Sequence, residues 1–228
     1  MKSKSPTFDS SWERNIYSKG RSLNLYPYSS LVSFIFKNFG KVKNRSKVKI
    51  LELGCGAGNN LWFLAREGFS VWGIDASLTA TKFAKKRFSA EGLKGEIILG
   101  DITNLPYPDD FFDLCIDRAT LSCLTKESIA RAISEISRVL KRGGILYSEM
   151  FSDLHGHKRY GRKISENLWG DFSGGSFEVM GQVYIATEQN VRVFFNNFLI
   201  VSLSLGTNRD LQTGKMEESS FRIVAKKL

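Results

Sequence analysis

The 228-residue chain has no long apolar run, only three cysteines and only two histidines. Its densest apolar stretch, Leu31-Val32-Ser33-Phe34-Ile35-Phe36, is far too short to cross a bilayer, which takes about 20 residues. The basic Met1-Lys2-Ser3-Lys4 is not followed by an apolar segment, so no secretory signal is expected. An odd, sparse set of cysteines (Cys55, Cys115, Cys123) suits a reducing compartment better than a disulfide scaffold. These absences predict a cytoplasmic protein with no stable membrane insertion. No His/Cys spacing suits zinc and no acidic cluster suits another metal, so no metal site is expected. Internal repeats and low-complexity segments are also missing.

What is present is ordinary for a globular chain: 42% apolar and 25% charged residues, enough for one large domain. Lys and Arg number 33 against 23 Asp and Glu, a net charge of +10. That excess fits either an acidic partner (nucleic acid, an anionic small molecule or a membrane surface) or a solvated basic surface. The basic residues are spread over 41–49, 82–87 and 158–163 and do not form one tract.

After a polar, loose lead-in of ten residues, positions 11 to 40 read as helical with a break at Tyr26-Pro27. Pro27 starts a helix to about Phe39, and Gly40 stops it. Strands then alternate with helices. Strands are expected at Val48–Leu53, Ser70–Asp75, Glu96–Gly100, Phe112–Asp117 and Ile145–Phe151. Helices are expected from Asn59, after a Ser77 cap, and after a Thr125 cap up to Gly143-Gly144. Such βαβ units imply a parallel sheet covered on both faces. Residues 152–182 are Gly-rich and aromatic and break the alternation, as an insertion over the ligand face would. Thr187 caps a helix to about Asn197, and strands at Phe198–Leu205 and Ser219–Lys226 form a closing antiparallel hairpin.

In an open α/β sheet, ligands bind at the carboxyl ends of the strands. The first strand runs into Glu52-Leu53-Gly54-Cys55-Gly56-Ala57-Gly58. A dinucleotide fingerprint needs its third glycine at position 59, which is Asn59, so the loop does not match a pyrophosphate cradle. Asp75 ends the second strand, where an acid accepts hydrogen bonds from ribose hydroxyls. Asp101 follows the third strand, placed for an adenine amino group with the Ile102 backbone reading the ring edge. Asp117 ends the fourth. One acid at a strand end is ordinarily a helix cap; three in one array, beside a glycine loop, form a constellation.

The stretch Leu51 to Gly58 resembles the nucleotide-binding motif of class I S-adenosylmethionine-dependent methyltransferases. Gly73-Ile74-Asp75-Ala76-Ser77, Gly100-Asp101-Ile102, Leu105 to Asp113 and Arg138 to Gly144 resemble the later motifs of that family in order and spacing. The subgroup most similar is related to ubiquinone/menaquinone-pathway methyltransferases. The resemblance implies an α/β, Rossmann-like doubly wound fold with a seven-stranded sheet of order 3-2-1-4-5-7-6, strand seven antiparallel, and helices on both faces. It implies a methyltransferase domain over 47–228 behind an N-terminal helical cap, 1–46. It implies S-adenosyl-L-methionine as cofactor, with Glu52 and the backbone of Gly54, Gly56 and Gly58 on its methionyl part, Asp75 at the ribose, Asp101 with Ile102 at the adenine, and Ala76 among the cofactor-binding residues. Asp117 is counted with the same site.

The cofactor carries the activation in methyl transfer, so no dedicated catalytic motif is required and none is evident. The Asn/Asp-Pro-Pro-aromatic motif of adenine and glutamine N-methyltransferases is absent after the fourth strand, as is a Pro-Cys nucleophile. His155 is the one candidate general base, against a surface-loop reading. Trp12, Tyr17 and Tyr26 are candidates to fold over the cofactor, against plain helix packing. Residues 152–182, with His155, Arg159, Tyr160, Arg162, Trp169 and Phe172, are the candidate acceptor lid, and their basic residues favour an anionic acceptor. A small-molecule acceptor methylated on O, N or S leads; RNA or protein is the alternative, and a noncatalytic S-adenosylmethionine-binding protein the third reading.

Overall fold

The computed structural model describes residues 9–228, so the expected loose lead-in lies, but for its last two residues, outside them. Successive residues of a strand point to opposite faces. In the central strands both sets are apolar, which requires cover on both sides. The order is α1 (Ser29–Phe39), β1 (Lys49–Leu53), α2 (Asn59–Arg66), β2 (Ser70–Asp75), α3 (Leu78–Ala90), β3 (Glu96–Leu99), β4 (Phe112–Arg118), α4 (Lys126–Val139) and β5 (Leu140–Phe151). Then come β6 (Arg162–Ser165), β7 (Leu168–Gly170), β8 (Gln182–Tyr184), α5 (Glu188–Phe194), β9 (Phe198–Arg209) and β10 (Met216–Lys227).

The main sheet runs β3-β2-β1-β4-β5-β10-β9. Strands β1 to β5 pair in parallel and β10 is antiparallel to both neighbours. Counted within this sheet, that is the expected 3-2-1-4-5-7-6 order. Ile50, Leu114, Ile116 and Tyr147 pack under α1, α2 and α3. Their neighbours Leu51, Leu53, Cys115 and Leu146 pack under α4 and α5. Side-chain caps fix the helix starts: Ser77 Oγ accepts from Ala80 N, Thr125 Oγ1 from Ser128 N, and Thr187 forms a capping box with Asn190. No helix among the described residues is long and apolar enough to cross a membrane.

Two local expectations are corrected. Helix α4 ends at Val139, before Gly143-Gly144. Phe111 N bonds the Val139 carbonyl and Leu140 pairs with Phe112, which draws the chain into the sheet early. The two glycines instead lie in an irregularity of β5, where the register jumps from Phe112↔Leu140 to Leu114↔Ile145. Residues 11–26 are helical only over 11–19, as a π-helix at Trp12–Ile16 and a 3-10 helix at Tyr17–Lys19 that end at the left-handed Gly20, and the chain then runs irregularly to Tyr28. The segment after β5 is a folded unit, an antiparallel sheet of order β6-β7-β8 with its own apolar cluster of Phe172, Phe177, Val183 and Ile185.

Candidate cofactor and acceptor cavity

The turn after β1 is built from glycines because it must bend where side chains do not fit. Gly54 has φ +60°, and a Cβ there would collide with Thr120 after β4. Gly56 has φ +51°, and a Cβ would come within 2.5 Å of the Tyr17 hydroxyl. The loop thus runs between β4 and the N-terminal segment. Asp75, at the end of β2, braces it: Oδ2 accepts from Gly56 N at 2.8 Å and Oδ1 from Ser77 N at 2.7 Å. Burial raises the Asp75 pKa against the pull of those two amides. Asp101 Oδ1 accepts from the amide and hydroxyl of Thr103 at 2.8 and 2.9 Å, which opens the chain after β3.

These strand ends bound a cavity of about 270 Å³. Glu52, Gly54, Gly56, Asp75, Ala76, Asp101 and Ile102 all line it. Glu52 is 2% exposed; its Oε1 accepts from Asn60 Nδ2 at 2.6 Å, and its Oε2 is buried without a partner. Burial pushes the Glu52 carboxyl up to about 8, although the Asn60 bond works the other way. An orphaned acid oxygen facing a cavity fits a cationic donor on a ligand.

Two expected residues do not line the cavity. A Cβ on Gly58 would meet Ala84, so this glycine serves the contact between loop and α3. Asp117 is fully buried and consumed by the fold: Oδ1 accepts from Thr120 and Leu121 amides and Oδ2 from Ser148 Oγ. It shapes the turn after β4, where Ala119 takes φ +63°, and burial pushes its pKa up to about 7.

His155 is corrected as a general-base candidate. Its ring is 2% exposed and packs on Phe151 and Phe177, outside the cavity. Burial, with His157 and Arg159 nearby, pushes its pKa down to about 4. The chain bends away from the ligand face because Ser152 pairs with Ala186 and bonds Ser219. Arg159, Tyr160, Arg162, Trp169 and Phe172 also stay outside. Arg159 is engaged by Glu217 and Arg162 by Asp171. Of the 152–182 unit only Met180 reaches the cavity, beside Phe151 of β5.

The roof comes from residues 9–28. Trp12 and Tyr17 line it, joined by Tyr28, while Tyr26 is 76% exposed and takes no part. Glu13 ties this segment to the start of α3, accepting from Ser77 Oγ, Thr79 Oγ1 and Thr79 N. Asp9 accepts from the Gly181 and Gln182 amides. Asn59 and Asn60 hold it to α2, through Tyr26 O and Tyr28 N. Asn60 and Arg118 also line the cavity and were missed. The signal was available: one polar residue opens the helix behind the glycine loop, the other is the residue after Asp117.

A family model described as a methyltransferase domain matches residues 50–144. The phthiotriol/phenolphthiotriol dimycocerosates methyltransferase of Mycobacterium leprae is 32% identical over 148 residues, 64% of this chain and 50% of that protein. A tRNA N(3)-cytidine methyltransferase of Danio rerio is 26% identical over 184 residues, 73% of this chain and 49% of that protein. The chain spans about half the length of the curated relatives it matches. A solved SAM-dependent methyltransferase of Methanosarcina mazei shares the fold with a TM-score of 0.70, covering 90% of this chain and 99% of its own at 24% identity. With the glycine loop, the strand-end acids and the strand order in place, residues 50–144 match a methyltransferase-domain family, and the fold is that of solved SAM-dependent methyltransferases.

Proposed function

We propose that this chain transfers a methyl group from S-adenosylmethionine to an O, N or S atom of a small acceptor. The observation that carries the reading is Glu52 Oε2, a buried acid oxygen without a partner, facing a cavity bounded by the glycine loop, Asp75 and Asp101. Glu52 would take the methionyl ammonium, Asp75 the ribose hydroxyls, and Asp101 with the Ile102 backbone the adenine. The cofactor, when bound, supplies a methyl group already activated for in-line displacement. The chain's own work is then to orient the acceptor and exclude water. Trp12, Tyr17, Tyr28, Phe151 and Met180 do the latter, so residues 9–28 act as a cap, and 152–182 contributes to the acceptor wall through Met180 alone. Three free, buried cysteines fit a reducing, cytoplasmic setting.

The roof supports a small acceptor, since a base flipped from a polynucleotide would need it to open. The net charge of +10 and the likeness to a tRNA methyltransferase favour RNA as the second reading, and a steep loss of RNA binding with salt would support it. Calorimetry tests the cofactor assignment. S-adenosylmethionine and S-adenosylhomocysteine should bind and NAD should not. Asp75→Ala should weaken binding by about 1–3 kcal/mol, as ribose hydroxyls lose a charged acceptor. A folded Asp75→Ala protein that binds at wild-type strength refutes the ribose role.

A further inference from the structure

We infer that Arg118 is the acceptor-binding residue of the cavity and that the acceptor carries a carboxylate or phosphate. The inference rests on the reading of the strand ends given above. Along the sheet, adenine, ribose and methionyl positions fall at the ends of β3, β2 and β1, which leaves the end of β4, next in order, to the acceptor. Arg118 is the last residue of β4 and lines the cavity there.

Its guanidinium is held without being used up. Cζ lies 4.0 Å from the centroid of the Tyr28 ring, a stack that fixes the plane. Nε lies 3.2 Å from Glu149 Oε2 but outside hydrogen-bond geometry, and it is buried with no acceptor. Among the described residues no other hydrogen bond from this side chain accompanies that contact. Glu149 is itself shared. It is 6% exposed, its Oε1 accepts from Tyr147 at 2.5 Å, and Arg222 Nε approaches to 3.3 Å. One carboxylate between two guanidiniums leaves a surplus positive charge. Arg222 is the more exposed of the two, so its charge is the better screened by water, while that of Arg118 faces the cavity. A planar fork of free N–H groups in a partly dry cavity is matched by a planar carboxylate or a phosphate, which it binds through two parallel hydrogen bonds. A neutral acceptor of the same shape would leave those donors unpaired.

The test follows the Arg118 Nε–H resonance in protein carrying isotope-labelled arginine, assigned by its loss in Arg118→Lys. Acetate, inorganic phosphate and neutral acetamide are titrated with and without S-adenosylhomocysteine, so that the cofactor reading and this one fail separately. A saturable shift with either anion and none with acetamide is expected, with S-adenosylhomocysteine affinity of Arg118→Lys and Arg118→Met within threefold of wild type. No saturable anion shift in the wild-type protein overturns the inference. So does a tenfold loss of S-adenosylhomocysteine affinity in Arg118→Met with methylthioadenosine binding unchanged. Methylthioadenosine lacks the methionyl carboxylate, and that pattern would assign the guanidinium to the cofactor's own tail.

Discussion

Along the carboxyl ends of β1 to β4 the cavity floor is held by neighbours in sequence: Asp75 bonds Ser77, Asp101 bonds Thr103, and Asp117 bonds Thr120. The roof over residues 9–28 hangs on side chains that reach across 32 to 173 positions, as Tyr28 to Asn60 and Gln182 to Asp9 do. The floor also sits on two large apolar clusters, one on each face of the sheet. The roof has a small cluster of Ile16, Tyr17 and Ala80. The regions therefore differ in what holds them: regular backbone structure and core burial below, a few long-range polar ties above. Low local burial is where opening on a shorter timescale is expected, and a cap that opens is what ligand exchange requires.

Breaking the floor should have the largest effect. Gly54→Val introduces a branched side chain at positive φ against Thr120. S-adenosylhomocysteine affinity should fall at least a hundredfold by calorimetry, with the sheet signature retained in circular dichroism. Binding within tenfold of wild type would mean that the loop is not the cradle.

Next comes the pH dependence set by Glu52. Burial pushes its pKa up to about 8 in the ligand-free fold, whereas the unfolded chain loses this proton near 4.5. The folded state binds the extra proton between those values, so this group lowers ligand-free stability as pH rises through that window. Binding has the opposite sign. A ligand ammonium requires the ionised carboxylate, so affinity for S-adenosylhomocysteine should rise with pH by up to about tenfold per unit below 8 and level off above it. Glu52→Gln should remove the slope. A flat wild-type profile up to pH 8 would separate Glu52 from the ammonium.

The smallest effect should come from the roof. Glu13→Ala removes the acceptor of three hydrogen bonds at the start of α3, worth about 1–2 kcal/mol in all at a partly exposed site. Stopped-flow dissociation of S-adenosylhomocysteine should quicken severalfold, and amide exchange should increase over residues 12–20 while β1 to β4 are unchanged. Equal loss of protection in floor and roof would show that the two are one cooperative unit.

The same division marks what could be read in the chain. The limits of α2 and β2, Asn59–Arg66 and Ser70–Asp75, agree with the sequence reading because apolar period, glycine turn and cap coincide there. The helix expected over 11–26 is reduced to irregular helical turns over 11–19: its apolar residues Ile16 and Tyr17 are buried on α3, and polar ties to α2, α3 and the β7–β8 connection decide the path. The acids at strand ends look alike in sequence, yet Asp75 and Asp101 face the cavity while Asp117 does not. The difference is Ser148 on the neighbouring strand, which Asp117 meets only through the pairing of β4 with β5.

By itself the sequence determined the alternating elements, the closing antiparallel hairpin, and the glycine loop with the acids at β2 and β3. Each depends on residues within a few positions of one another, where backbone preference and apolar period decide. Only the tertiary structure decided that His155 turns into an apolar cluster, that Arg159 and Arg162 find acids, and that Arg118 reaches the cavity between Tyr28 and Glu149. A side chain's partner across the sheet or across the cavity depends on packing between distant segments, and no local pattern of residues encodes it.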